Sequence, residues 1–164
     1  MARKPDNFSI ATFNVGELKR RTYKMLGVFE KVKSYDICIL QETHFSSLSD
    51  IIFFDQIFES KFKIFHSLAK SYCTGICILI TNKITVDKTM QIFDIPGRSL
   101  GIQLLYYDNK YIICGIYAPA KQSERDAFFQ QVLYEFTNVV HVTDVLIVGD
   151  FNFVENPKID RYPD

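Results

Sequence analysis

The chain has 164 residues and a formal net charge of zero, so no overall field favours a polyanionic partner. Hydrophobic residues make up 48% of the sequence, including fifteen phenylalanines and nine tyrosines, which excludes a disordered chain and predicts one packed domain or part of one. No apolar run approaches the roughly 18 residues of a membrane span, and the charged start lacks the apolar stretch of a signal peptide. We therefore expect an intracellular protein, nuclear or cytoplasmic, that is not secreted and does not bind a membrane.

The first half of the chain predicts strands alternating with helices. A strand is expected from Phe8 to Val15, and the helical spacing of apolar residues from Met25 to Val32 predicts a helix after it. A second strand at Ile37 to Leu40 leads directly into a polar segment, and a second helix is expected around Asp50 to Glu59.

The second half begins with a meander of strands and ends with a helix and one more strand. The helix repeats apolar residues from Phe128 to Val140, with Ser123 as its expected N-cap. Asp108 and Asn109 indicate a hairpin turn. The predicted strands are Phe62 to His66, Gly75 to Thr81, Ile84 to Phe93, Ser99 to Tyr106, Tyr111 to Tyr117 and Asp144 to Val148. This order favours an α/β (α+β) domain with two packed sheets and helices outside them.

Several apolar strands end in polar side chains. Asn14, Glu42 and Tyr117 each stand at such an exit, and Asp150 and Asn152 follow the last strand. Strands of one sheet can bring these ends together at one rim, where carboxylate and amide oxygens would suit a hard cation such as Mg²⁺. Taken singly, each residue is more often a turn former, a surface charge or a packed aromatic. Their co-occurrence is what favours a site.

The four cysteines, Cys38, Cys73, Cys77 and Cys114, lack the paired spacing of zinc ligands. Small buried thiols in a reducing compartment are expected, not disulfides.

Four ordered motifs give the sequence a specific resemblance. They are Thr12-Phe13-Asn14-Val15, Gln41-Glu42-Thr43-His44, Gly115-Ile116-Tyr117-Ala118-Pro119 and Gly149-Asp150-Phe151-Asn152. In order and spacing they resemble the endonuclease/exonuclease/phosphatase superfamily, which includes deoxyribonuclease I. Gly97-Arg98-Ser99-Leu100 and Arg125 with Phe128-Phe129 resemble the endonuclease domain of LINE-type retrotransposons.

The resemblance implies a role for each motif residue. Glu42 matches the metal-ligand glutamate, and Asn14 matches the asparagine that supports metal or phosphate. Tyr117 matches the tyrosine that contacts the scissile phosphate. Asp150 matches the acid that orients or deprotonates the attacking water, and Asn152 matches its amide partner.

The resemblance also implies a fold and an activity for the chain as a whole. The fold is a four-layer α/β/β/α sandwich, with residues 1–164 forming a single partial domain that is incomplete at its C-terminus. The implied activity is Mg²⁺-dependent hydrolysis (Mn²⁺ being the other candidate cation) that nicks DNA, with no small organic cofactor. Fusion to, or origin from, a reverse transcriptase polyprotein is also implied.

Two departures from the family pattern keep other functions open. Ala120 replaces an asparagine that often follows the Tyr-x-Pro motif, and the family's closing Ser-Asp-His segment is not among the 164 residues. We therefore expect the isolated chain to nick DNA poorly or not at all. One alternative is a truncated, catalytically silent mobile-element remnant, or at most a weak binder of nucleic acid or metal. Another is a phosphatase acting on a small phosphoester.

Overall fold

The computed structural model describes residues 8–70, 74–84, 88–106, 109–137 and 144–153. In chain order the elements are β1 (Ile10–Asn14), α1 (Thr22–Val32), β2 (Ile37–Gln41), α2 (Leu48–Ile57), β3 (Phe62–Ser67), β4 (Ile76–Thr81), β5 (Lys88–Ile95), β6 (Ser99–Tyr106), β7 (Asn109–Tyr117), α3 (Gln122–Thr137) and β8 (Asp144–Asp150). Among these residues, no helix is both long enough and apolar enough to cross a bilayer.

Within the described ranges the strands form two sheets of four strands each, in the orders β1-β2-β4-β3 and β5-β6-β7-β8. In the first sheet β1 and β2 are parallel, and β4 runs antiparallel between β2 and β3. In the second sheet β5, β6 and β7 form an antiparallel meander, and β8 returns parallel to β7. Each sheet therefore has a parallel pair on one side, β1 with β2 and β7 with β8.

The alternation of side chains along each strand builds four layers. In β2, Ile37 and Ile39 pack between the two sheets, whereas Cys38 and Leu40 face α1 and α2. In β7, Ile113 joins the core between the sheets, while Cys114 and Ile116 pack beneath α3. Helices therefore cover the outer face of each sheet, and the fold is the predicted α/β/β/α sandwich.

Several element boundaries differ from the prediction. Asn109, expected in the hairpin turn, begins β7 instead. Helix α2 begins at Leu48, before Asp50, because Ser47 caps it and accepts a hydrogen bond from the Asp50 backbone N–H. Helix α3 begins at Gln122, so the expected N-cap Ser123 lies inside its first turn. Strand β5 begins at Lys88, and Ile84 lies outside it. Asp108, Val139 and Val140 lie outside the described residues.

Candidate functional site

The exits of four strands meet at one end of the sandwich. The parallel pairs β1–β2 and β7–β8 each deliver neighbouring chain ends in the same direction. Asn14 closes β1, Tyr117 closes β7 and Asp150 closes β8. Glu42 follows β2 by one residue. The sequence-predicted site residues of both sheets therefore share one rim.

Asn14 links an acid from each sheet. Its side-chain amide donates hydrogen bonds to Glu42 Oε1 at 2.9 Å and to Asp150 Oδ2 at 3.2 Å. The side-chain oxygen Oδ1 of Asn14 accepts a hydrogen bond from the Gly16 N–H at 3.1 Å, which fixes the orientation of the side-chain amide. One neutral side chain thus holds two carboxylates close together without neutralising either.

Tyr117 contributes a hydroxyl to the same group. Its O–H donates to Glu42 Oε1 at 2.7 Å, and the side chain is 7% exposed. Burial raises the pKa of this phenol to about 12, and the hydrogen bond to the Glu42 carboxylate and its charge act in the same direction. Tyr117 therefore remains a hydrogen-bond donor at neutral pH.

Arg98 lies against Tyr117, at the start of the neighbouring strand. Its guanidinium carbon is 4.8 Å from the centre of the tyrosine ring, and its Nη1 is 3.5 Å from the carbonyl oxygens of Tyr117 and Ala118. The Tyr117 backbone N–H also donates to the Arg98 carbonyl at 2.7 Å. In the sequence, Arg98 stands out only through the LINE-type resemblance. The β6–β7 pairing brings it opposite Tyr117.

Asp150 and Asn152 hold each other in place on the turn that follows β8. The Asn152 backbone N–H donates to Asp150 Oδ1 at 2.9 Å, and its side-chain amide donates to the Ala118 carbonyl at 2.7 Å. Before them, Gly149 runs so close to β7 that an added Cβ would lie 2.0 Å from the Ile116 carbonyl oxygen. The close approach sets the position of Asp150 beside Tyr117.

Two site residues have left-handed backbone conformations. Glu42 has a φ of 56° and Asn152 a φ of 46°. Asparagine tolerates this region, but a glutamate there costs about 1 kcal/mol or more. The Glu42 carbonyl accepts from the Glu17 N–H at 2.7 Å, which helps to hold the turn. Strain of this kind is typical of positions where the direction of a side chain is functionally constrained.

An open cleft of about 910 Å³ adjoins this group. Asn14, Asp150 and Asn152 line it, and Arg125 of α3 is the one cationic side chain among its described lining residues. Arg125 Nη1 donates to the Ala120 carbonyl at 3.2 Å and to the Asn152 carbonyl. Arg125 also stands out in the sequence only through the resemblance, because the α3–β8 packing that brings it here is not a local pattern.

The donor set fits a hard divalent cation. The described residues contain no group of three or more His, Cys, Asp or Glu side chains positioned to hold a metal. Mg²⁺, however, is commonly held by one or two carboxylates, with waters and substrate phosphate completing its shell. Glu42 and Asp150, joined through Asn14, offer that arrangement of oxygens and no competing sulfur or imidazole ligand.

The described cysteines and histidines lie outside this hydrogen-bond network. Cys38, Cys77 and Cys114 are buried free thiols, as expected, and burial raises the pKa of each, to about 12, 12 and 11. His44 is half-buried, and its Nε2 has no hydrogen-bond partner among the described residues. Cys73 and His141 lie outside the described residues.

Structural comparison finds solved structures with a similar fold. The chain is similar to TDP2 from C. elegans, with a TM-score of 0.65 and 22% identity, over 96% of this chain and 51% of that one. It is also similar to D. rerio TDP2 complexed with single strand DNA product, with a TM-score of 0.61 and 15% identity, over 93% of this chain and 63% of that one. The chain thus spans about half to two thirds of these structures.

Sequence comparison gives the family. The chain is 26% identical over 158 residues to the Transposon TX1 uncharacterized 149 kDa protein of Xenopus laevis, covering 94% of this chain and 12% of that protein. The sequence profile of the Endonuclease/Exonuclease/phosphatase family matches residues 11–160, which include all four motifs and every predicted site residue. The chain therefore belongs to the endonuclease/exonuclease/phosphatase family.

Proposed function

We propose that the chain is the Mg²⁺-dependent endonuclease portion of a retrotransposon protein and that its site hydrolyses phosphodiester bonds in DNA. The Asn14 amide donates hydrogen bonds to both Glu42 and Asp150, which come from different sheets. This observation supports the proposal most directly. Family membership supports phosphodiester chemistry. The similarity to a transposon protein supports the retrotransposon origin, and the DNA-bound TDP2 relative supports a DNA substrate.

The residues divide the work of hydrolysis between them. Glu42 and Asn14 would hold the cation, which when bound would stabilise negative charge on the phosphoryl oxygens. Asp150, fixed by the Asn152 N–H at 2.9 Å, would orient a water for attack and accept its proton. The phosphorus–oxygen bond to the leaving group would break as the water adds, and the leaving oxygen would take a proton from solvent. Tyr117, which remains protonated, would turn its O–H from Glu42 Oε1 to a phosphate oxygen when substrate binds.

The test combines metal binding with plasmid nicking. We expect calorimetry to detect Mg²⁺ binding to the wild-type chain and Glu42→Gln to remove it. Nicking of supercoiled plasmid should be slow, should need Mg²⁺, and should fall to the no-protein blank in Asp150→Asn. Asp144→Asn is the matched control, because Asp144 is exposed at the opposite end of the same strand and should change neither measurement.

The outcomes separate this proposal from its alternatives. Nicking that persists in chelator or in Asp150→Asn would contradict it, as would absence of Mg²⁺ binding at millimolar concentration. Metal binding without any hydrolysis would favour the catalytically silent remnant. Hydrolysis of a small phosphoester at a rate that exceeds plasmid nicking would favour the phosphatase.

A further inference from the structure

Two exposed aromatic rings line the cleft beside Asp150. Phe151 is 42% exposed and Phe153 is 66% exposed, and both belong to the cleft wall together with Arg125 and Gln122. Burying large apolar side chains is the usual outcome of folding, so two exposed phenylalanines at the mouth of a polar cleft indicate a contact with something outside this part of the chain.

The Phe151 ring is supported by aromatic residues of α3. The ring of Phe151 stacks on Phe129 of α3, with 6.3 Å between centroids and 20° between planes. Phe129 in turn contacts Phe128 at 5.3 Å, and Phe128 is buried beneath α3. The Phe151 ring, supported in this way, offers an apolar face that loses little side-chain entropy when a ligand binds.

Arg125 places a positive charge next to these rings. Its Nη1 is used by the carbonyl oxygens of Ala120 and Asn152, which fixes the guanidinium plane. The described contacts leave its Nη2 and Nε donors available to a ligand in the cleft, and a guanidinium is well suited to a phosphate oxygen. The amide of Gln122 on the same wall adds a hydrogen-bonding group that can reach a base edge.

We propose that this wall is a subsite for one unpaired nucleotide of the substrate strand, whose base stacks on Phe153 and Phe151 and whose phosphate contacts Arg125. The inference rests on the proposed function and adds a substrate class to it. In a duplex the base faces are already stacked on one another, so an aromatic side chain gains by stacking only on a base that has left the helix or belongs to a single strand. The chain would therefore prefer single-stranded or locally opened DNA.

The experiment uses the absence of tryptophan from the sequence. Phe153→Trp introduces a single fluorophore into the subsite, and a base stacked on it should quench its emission. We would titrate this variant, in chelator so that no hydrolysis occurs, with an eight-nucleotide single strand, its blunt duplex, the same strand with abasic residues, and inorganic tripolyphosphate. Strong quenching is expected with the intact single strand alone.

Tyr134→Trp is the matched control, because Tyr134 is an aromatic residue of α3 that is 64% exposed and does not line the cleft. Its emission should not change with any of the four ligands. Anisotropy with a labelled single strand gives a second readout, in which Phe153→Ala should weaken binding about tenfold and Phe153→Tyr should retain it within about twofold.

Equal quenching by tripolyphosphate or by the abasic strand would overturn the inference, because charge alone would then explain binding. Equal quenching by the duplex would overturn the preference for an unpaired nucleotide. No quenching at about 1 mM oligonucleotide would exclude the subsite, since that exceeds typical non-specific dissociation constants. Because cleavage is not measured, quenching by a chain that cleaves nothing would retain the subsite and remove only the proposed function.

Discussion

At the scale of single residues, Tyr117 shows how the site's chemistry depends on burial. A hydroxyl that remained in water would lose its proton near its ordinary pKa of about 10. Burial and the neighbouring Glu42 carboxylate instead raise the pKa to about 12, while the guanidinium of Arg98 opposes the shift. The result is a neutral donor placed between an acid and a cation.

The raised pKa predicts a pH dependence of stability. Because the folded-state pKa exceeds that of the unfolded chain, the contribution of the Tyr117 phenol is complete below about pH 10 and is lost as pH rises through about 12. Urea unfolding should show that, between pH 9 and pH 11, the free energy of unfolding of wild type falls by about 1–2 kcal/mol relative to that of Tyr117→Phe. The buried thiols are common to both proteins and cancel. If the two free energies of unfolding differed by the same amount at pH 9 and pH 11, the buried environment assigned to the Tyr117 phenol would be wrong.

A second prediction compares a glycine in close contact with a neighbouring strand, Gly149, with one that faces open space, Gly27. Gly149 has a φ of 150°, and an alanine there would press its Cβ against the Ile116 carbonyl. Gly149→Ala should therefore lower the free energy of unfolding by about 3 kcal/mol or more. Gly27 lies inside α1 with no atom within 4 Å of its added Cβ, so Gly27→Ala should stabilise by about 0.5–1 kcal/mol. Thermal and urea unfolding measure both. Similar effects from the two variants would show that the close approach at β8 is not needed.

At the scale of elements, helix α2 is fixed at its start by a local motif. Asp50 accepts hydrogen bonds from the backbone N–H groups of Ser46 at 2.9 Å and Ser47 at 3.1 Å, and Lys19 lies 3.5 Å from the same carboxylate oxygen. Burial of the carboxylate opposes ionisation. The hydrogen bonds from Ser46 and Ser47 and the charge of Lys19 outweigh it and hold the pKa of Asp50 below its usual value.

We expect Asp50→Ala to destabilise the protein by about 1–2 kcal/mol at pH 7, because the backbone donors at the helix start lose their acceptor. The folded-state pKa is lowered, so the ionised carboxylate contributes fully above about pH 4 and loses its contribution as pH falls through the folded value. Urea unfolding of wild type and variant at pH 7 and pH 3 measures this. Asp50→Asn retains an acceptor but not the charge, so its free energy of unfolding at pH 7 should lie between those of wild type and Asp50→Ala. An Asp50→Ala penalty that is equal at both pH values would contradict the charged cap.

Three basic residues that follow β1, Lys19, Arg21 and Lys24, contact nearby groups. Lys19 pairs with Asp50, Arg21 pairs with Glu17, and Lys24 donates to the Gly16 carbonyl. These contacts hold the loop and the start of α1 together.

At the scale of the whole molecule, β8 forms one edge of its sheet and carries exposed apolar side chains. Val145 is 48% exposed and Leu146 43% exposed, and no further strand among the described residues pairs with β8. A hydrophobic edge strand with unpaired backbone groups can pair with another chain.

Val145→Lys should therefore reduce concentration-dependent association, because a charge on the edge opposes strand pairing. Light scattering over a range of protein concentrations measures the effect. Ile52→Lys is the control, since Ile52 is 59% exposed but lies on α2, away from any sheet edge. Equal reduction by both variants would indicate a general effect of charge on solubility.

The sequence by itself determined the order of the elements and the residues at the strand exits. Continuous apolar runs in β2 and β7 predict strands buried on both faces, and such strands end where a polar residue can reach water. The sequence pattern and the family resemblance therefore suffice to expect Asn14, Glu42, Tyr117, Asp150 and Asn152 at one rim, and their role as a functional site stays a proposal. The start of α2 follows from the local capping pair Ser47 and Asp50. The starts of α3 and β5 do not follow from the sequence, because helix and strand ends depend on caps and turns that compete locally.

Only the tertiary structure decided how these residues meet. The Asn14 amide links Glu42 to Asp150 because the edges β1 and β8 of two different sheets lie side by side, and no sequence period encodes the distance between sheets. Arg98 reaches Tyr117 through the β6–β7 pairing, and Arg125 reaches Asn152 through the packing of α3. Local periodicity reports which side chains are buried. Packing between layers determines which of them touch.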